Sequence, residues 1–301
     1  MKVDGKQKPP WGRVGWSLLP IYFLSLVALF LYTLFPSETV KRHLSERFQR
    51  AAPECALNVI GLALAFPPGL KADGLQVNCL DREVVVATDV TLTPRWTDLL
   101  AGGFSADISG AAYGGMIRSR IEYQDQSDRP RWSTTAHMAG VDLFRAAAIR
   151  DWTGYGIAGR LEGDFRLELA AAHPADATLT IIEAVIDPPA PVMNVHRLQF
   201  DRVTARLAVD RRLLTLTEVE FSGPQLDGRM AGLVFLKETV GTSRLDLGGW
   251  ARPKTEFLAG LDGVADATFE DRRLIAENGF SFHFGGTCDY PEVSIWPGVS
   301  Q

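Results

Sequence analysis

From Ala56 to the C-terminus the apolar residues recur at every second position, and this period restricts the chain more than any other property. Leu161, Gly163, Phe165, Leu167 and Leu169 alternate with Arg160, Glu162, Asp164, Arg166 and Glu168. Val203, Ala205, Leu207 and Val209 alternate with Arg202, Thr204, Arg206 and Asp210, and Phe280, Phe282 and Phe284 with Ser281, His283 and Gly285. Val84, Val86, Thr88, Val90 and Leu92 set against Val85, Ala87, Asp89, Thr91 and Thr93 fit the same period. A strand sends successive side chains to opposite faces, so these segments read as strands with one dry and one wet face. Antiparallel sheets accept that arrangement, whereas parallel sheets buried under helices do not. Turn-forming sequences recur between and within the runs: Pro67-Pro68-Gly69, Asp73-Gly74, Gly114-Gly115, Asp187-Pro188-Pro189, Asp227-Gly228 and Asn278-Gly279.

Helical signals are few and short. Thr93-Pro94 before Arg95–Ala101 and Gly102 after it supply a cap, an early proline and a terminal glycine. Val141–Asp151 is Ala-rich and can start from a cap at Asp142, and Pro253–Gly260 has the same start and stop chemistry. One β-rich domain over residues 54–301 is the economical reading. The alternative is two stacked sub-sheets divided near Asp187–Pro191. Cys55 and Cys79 stand symmetrically about Pro67-Pro68-Gly69, so a hairpin there would bring them face to face as a candidate disulfide; a register slip would put one on the opposite face. Cys288, the third and last cysteine, reads as a small buried apolar residue.

The N-terminus carries a different signal. Residues 14–37 contain no formal charge, and Trp16–Phe35 as a helix would measure about 30 Å, enough to cross a bilayer. Trp11, Trp16 and Tyr32 suit the headgroup zones at its ends. A cleaved signal peptide would have a shorter apolar core and small residues at a cleavage point, but Phe35-Pro36-Ser37-Glu38 follows here. The expected organisation is a cytoplasmic tail over 1–13, a transmembrane signal anchor over 14–36, a juxtamembrane helix over 37–53 and a periplasmic domain over 54–301. Lys2, Lys6, Lys8 and Arg13 before the span are balanced by Lys41, Arg42, Arg47 and Arg50 after it, so charge does not set the orientation. It rests on the lack of a second apolar span and on the ease with which long domains are translocated. In the juxtamembrane helix, Ser37 can cap and Val40, Leu44 and Phe48 form one stripe, either packing on the domain or lying beside anionic headgroups.

With 31 Lys+Arg against 36 Asp+Glu, the net charge of -5 speaks against nucleic acid as a partner. Gly154-Tyr155-Gly156-Ile157-Ala158-Gly159 matches G-x-G-x-x-G, but a helix-like segment precedes it and a strand follows, the reverse of what dinucleotide binding needs; it reads as a helix-to-strand turn. The sequence holds no H-x-x-x-H, C-x-x-C, G-x-S-x-G or P-loop pattern. His283 near Cys288 reads as a strand histidine rather than a catalytic base, and Asp125 with Asp128 lacks the spacing of a calcium loop. No catalytic residue, metal ligand or cofactor is expected.

The layout resembles type II secretion system protein N, a family of inner-membrane-anchored periplasmic proteins related to the AsmA-like proteins. The pieces that carry the resemblance are the single span ending in Phe35-Pro36, the Gly61-Leu62 and Gly74-Leu75 strand starts, and the Phe104–Tyr123 stretch with Gly114-Gly115. To these add the run from Val141–Asp151 into Gly156-Ile157-Ala158-Gly159-Arg160-Leu161-Glu162-Gly163, and Gly285-Gly286-Thr287 before Pro291. The resemblance implies a mainly β, non-enzymatic envelope protein: one transmembrane helix, then an elongated, twisted antiparallel sheet with a few short helices and an AsmA-like groove. That groove would be lined by Leu161, Phe165, Leu167, Leu169, Phe280, Phe282 and Phe284. Its implied partners are inner-membrane lipids, other secretion-system or envelope proteins, and acyl-chain ligands. Two functions follow: a structural and interaction subunit of type II secretion, or a lipid-binding or lipid-transport module between the two membranes.

Overall fold

In the computed structural model the chain forms one open sheet of fourteen antiparallel strands, each hydrogen-bonded to its neighbours in sequence. The structure describes residues 34–51, 53–65, 69–79, 82–100, 103–126, 129–169, 175–188, 195–237, 239–254, 257, 275 and 277–297, with scattered positions from 22 to 32. The strands are β1 (Cys55–Ala65), β2 (Gly69–Cys79), β3 (Arg82–Pro94), β4 (Phe104–Ala112), β5 (Gly115–Gln126), β6 (Arg129–Asp142) and β7 (Gly156–Leu169). They continue as β8 (Ala175–Asp187), β9 (Leu198–Asp210), β10 (Leu213–Ser222), β11 (Leu226–Phe235), β12 (Arg244–Pro253), β13 (Phe280–Gly286) and β14 (Pro291–Pro297). Nothing divides the sheet near Asp187–Pro191, because β8 and β9 pair from Ala175↔Val209 to Ile186↔Leu198.

The simple alternation fails at identifiable points. Asp73-Gly74 and Asp227-Gly228 lie inside β2 and β11 instead of at turns, since Gly74 pairs with Ile60 and Thr88, and Gly228 with Phe221 and Ala251. In β3 the residues facing the core switch from Ala87 to Val90 across Asp89, whose φ of 50° breaks the pleat. Asp89 falls in one row with Asp73 and with Gly61, at φ 60°, so the kink crosses three strands. A second row joins Gly159 on β7 to Glu183 on β8. An alanine at 159 would put its Cβ 2.8 Å from Ile181 Cγ2 in a backbone conformation at φ 130°. Ile181 and Ala184, three residues apart on either side of Glu183, therefore both serve the core.

Among the described residues, three helices with both ends defined sit at the ends and edge of the sheet. Helix α1 (Ser37–Ala51) packs along β1: Phe35 and Val40 meet Val59, Leu62 and Ala72, and Ser45 donates to the Leu57 carbonyl at 2.8 Å. Leu44, expected beside Val40 and Phe48 on the buried stripe, is instead exposed. Helix α2 (Trp96–Leu100) falls inside the expected segment. Helix α3 (Ala147–Thr153) starts later than expected, because Val141 and Asp142 finish β6 by pairing with Leu161 and Arg160. Asp142 caps a turn, accepting from Phe144 N–H at 3.0 Å. Gly154 ends α3 in the left-handed conformation, donating to the Arg150 carbonyl at 2.8 Å, so the Gly154–Gly159 run is a helix stop entering a strand. Of the expected helix over 253–260, Pro253 closes β12 and Phe257 is helical; most of the rest lies outside the described residues.

The sheet is strongly curled. Tyr155, just before β7, donates from its hydroxyl to the Cys288 carbonyl at 3.2 Å, in the turn between β13 and β14. In a flat sheet these points would be about 29 Å apart across six strand spacings, and at opposite strand ends as well. The short α3 likewise touches β3, β7 and the 3-10 turn Val240–Thr242 between β11 and β12. Only a sheet that coils can bring those elements onto one helix of seven residues.

The expected membrane span over 14–36 lies largely outside the described residues. Its described positions from 22 to 32 are helical, 34–36 are not, and Tyr22, Phe23, Leu26, Leu29, Phe30 and Tyr32 all expose their side chains. Among the described residues no helix is long and apolar enough to cross a membrane.

Candidate functional site

The curl of β8–β14 shapes a half-open apolar pocket of about 220 Å³, and every lining residue among the described ones is apolar. Period-two placement delivers Phe280, Phe282 and Phe284 from β13 and Val293 and Ile295 from β14, while Phe200 and Val203 enter from β9 three residues apart. Phe221 and Met230 close the wall on β10 and β11, and Phe257 and Ile186 complete it. Phe282 and Phe284 meet edge to face with centroids 5.2 Å apart, and Phe200 and Phe221 at 5.5 Å. Burying each such ring contributes about 1.5–3 kcal/mol, so the wall is also the core. Two glycines make room for it: a Cβ at Gly249 would lie 2.5 Å from Phe282 Cζ, and one at Gly228 2.6 Å from Phe221 Cζ. Apolar cavities of about 150 Å³ stay dry and admit apolar molecules, so this one suits a hydrocarbon segment and offers nothing to a charged group.

The opposite face is a lattice of charges. A concave stretch of about 800 Å³ over β4–β8 is lined by Arg118, Arg120, His137, Asp164, Arg166 and Asp176, among others. Cross-strand register sets sign against sign where Arg120 meets Asp107 at 2.8 Å and Arg206 meets Glu218 at 2.8 Å, and it places His137 Nδ1 3.0 Å from Asp164. Such exposed pairs contribute at most about 1 kcal/mol each. They make the face wet and sign-balanced.

The structure separates the sequence-predicted groove residues into two sets. Phe280, Phe282 and Phe284 line the cavity. Leu161, Phe165 and Leu167 are half-buried on β7 and do not line it, and Leu169 is placed in register with Trp132. The sequence reading missed Phe200, Phe221, Met230 and the β14 pair. Val293 and Ile295 were readable, since they alternate with Glu292, Ser294 and Trp296; Phe200 was not, because Arg202 and Asp201 are both exposed between it and Val203.

Cys55 and Cys79 face each other in register and are joined as a disulfide, with Cα atoms 4.0 Å apart. Cys288 is a half-buried thiol. Its N–H donates to the Ser243 carbonyl at 3.0 Å and that of Asp289 to Gly241 at 2.9 Å, tying the β13–β14 turn to the 3-10 turn. Burial pushes both the Cys288 thiol and the Tyr155 hydroxyl above their ordinary pKa values, so both stay protonated at neutral pH. Among the described residues no three His, Cys, Asp or Glu side chains gather as a metal site. No family model, curated protein or solved structure matches the chain.

Proposed function

We propose that this chain is an inner-membrane-anchored periplasmic module that holds an acyl chain, with no catalytic turnover of its own. The observation that carries the reading is the apolar lining that the described residues give the β8–β14 pocket, which a hydrocarbon satisfies and a polar substrate does not. Two further features support it. The described helical positions between 22 and 32 expose large apolar side chains, as a membrane anchor does, and the Cys55–Cys79 disulfide suits an oxidising compartment. The finer picture is an elongated, twisted sheet of the AsmA-like kind, whose groove faces the lipid.

A second reading, a structural subunit of type II secretion, draws on the sequence resemblance and on the charged concave face over β4–β8. Arg118, Arg120, Asp164 and Asp176 there suit a protein partner with complementary charges.

Three experiments test these readings. Lipids retained by the detergent-extracted protein are identified by mass spectrometry, and uptake of a fluorescent long-chain fatty acid is titrated. Retained lipid and saturable uptake, weakened at least tenfold by Phe284→Asp, are expected; a protein that retains no lipid and takes up no probe overturns the acyl-chain reading. Deleting the gene then separates the two functions, since loss of outer-membrane lipid integrity fits the first and failed export of folded proteins fits the second.

A further inference from the structure

The two edges of the sheet are treated differently. β1 carries α1 along it, with Ser45 bonded to the Leu57 carbonyl. Among the described residues β14 has only β13 beside it, and Tyr290, Glu292, Ser294 and Trp296 at that edge are all exposed. Its hydrogen-bonding phase follows from its neighbours. Thr287 N–H donates to the Tyr290 carbonyl at 3.2 Å, which makes Thr287 and Tyr290 a hydrogen-bonded pair. In the antiparallel pattern Glu292, Ser294 and Trp296 then also bond inward to β13, while Pro291, Val293, Ile295 and Pro297 turn their main-chain groups to the free edge. The prolines have no N–H to offer there. What remains is a slot of five residues whose outward N–H and C=O groups belong to Val293 and Ile295. Among the described residues no further backbone hydrogen bond takes them up.

The slot is self-complementary. Ser294 is equidistant from Pro291 and Pro297, so a second copy running antiparallel about Ser294 sets each proline opposite the other, Val293 opposite Ile295, and Glu292 opposite Trp296. β-branched side chains face each other on the cavity side, and no like charges meet on the wet side. Trp296 can donate its indole N–H to the partner's Glu292. About four main-chain hydrogen bonds form, and the prolines stop the pairing at both ends, so the contact closes with twofold symmetry instead of growing into a fibre.

We propose that β14 pairs with β14 of a second copy of this chain about Ser294, joining two sheets and two apolar cavities edge to edge. The proposal does not depend on what the cavity holds. In that register Ser294 faces itself in a non-hydrogen-bonded pair, with Cα atoms about 4.5 Å apart, close enough for a disulfide. A residue at 292 lies about 13 Å along the strand from its own copy, too far for one.

The test uses the full chain in its native membrane with a mild oxidant. Ser294→Cys is expected to give a band at twice the monomer mass on a non-reducing gel, with Glu292→Cys and the wild type at least fivefold weaker. Ser294→Lys, which sets two ammonium groups against each other on a solvent-exposed position, is expected to convert the detergent-solubilised dimer to monomer by light scattering while leaving its circular dichroism unchanged. Absence of the Ser294→Cys band, equal bands from both cysteines, or a Ser294→Cys adduct with a different protein would each overturn the pairing. So would a wild-type chain that is already monomeric. Because none of these readouts involves lipid, their failure is distinct from failure of the acyl-chain reading.

Discussion

Phe282 and Gly249 face each other in register on β13 and β12, and the ring occupies the space a side chain at 249 would need. Phe282 is buried, so Phe282→Ala should cost about 3–5 kcal/mol. Gly249→Ala forces the ring or the strand to move and should cost about 1–3 kcal/mol. Urea unfolding followed by circular dichroism measures both. A fully stable Gly249→Ala protein would show that the ring has another place to go.

The Cys55–Cys79 bridge closes a loop with a sequence separation of 24 residues. Its loss as Cys55→Ala with Cys79→Ala should reduce stability by about 3 kcal/mol, through the greater freedom of the unfolded chain. Peptide mapping without reductant should recover the two cysteines in one linked peptide pair. Recovery of both as free thiols would remove the bridge from the account.

Tyr155→Phe deletes the hydrogen bond that ties the start of β7 to the β13–β14 turn. A net cost of about 1 kcal/mol is expected. Hydrogen exchange at residues 287–290 should accelerate, while exchange in β1–β3 stays as it was. Uniform acceleration throughout the sheet would mean that Tyr155 supports the whole fold rather than one tie.

Arg197 grips Asp187 through two hydrogen bonds, at 2.7 and 3.0 Å, and holds its carboxyl below the ordinary value. A folded pKa below the unfolded one contributes stability that is complete above the unfolded value, about 3.9, and is lost as pH falls through the folded value. The wild type should therefore lose stability below about pH 4 more steeply than Asp187→Asn. Equal acid sensitivity in the two proteins would show that the pair contributes nothing measurable, as exposed ion pairs often do.

The sequence made the strand character of the chain legible because one-sided burial forces a period of two, as along Leu161–Leu167. It also placed Phe280, Phe282 and Phe284 on one face. The sequence did not reveal where a strand changes face. Asp89 and Glu183 take positive φ without being glycine, so no composition signal marks the positions where inward residues jump from Ala87 to Val90 and from Ile181 to Ala184. The closure of β8–β14 was hidden for a different reason: it depends on how far successive strands rotate, and a row of alternating residues reads the same in a flat sheet and a coiled one. That is why Phe165 and Phe282, alike in the sequence, end up in different surroundings.

Among the described residues every strand is bonded only to the strands before and after it in sequence. The sheet's hydrogen bonding runs from neighbour to neighbour as in a stack of repeats, while β8–β14 also share one core across non-adjacent strands. The number of hairpins is then an adjustable dimension. Inserting one between β4 and β7 would preserve every strand's direction and add about 10 Å to the width of the sheet. A chain of this design can be fitted to gaps of different span by counting hairpins, without inventing a new fold.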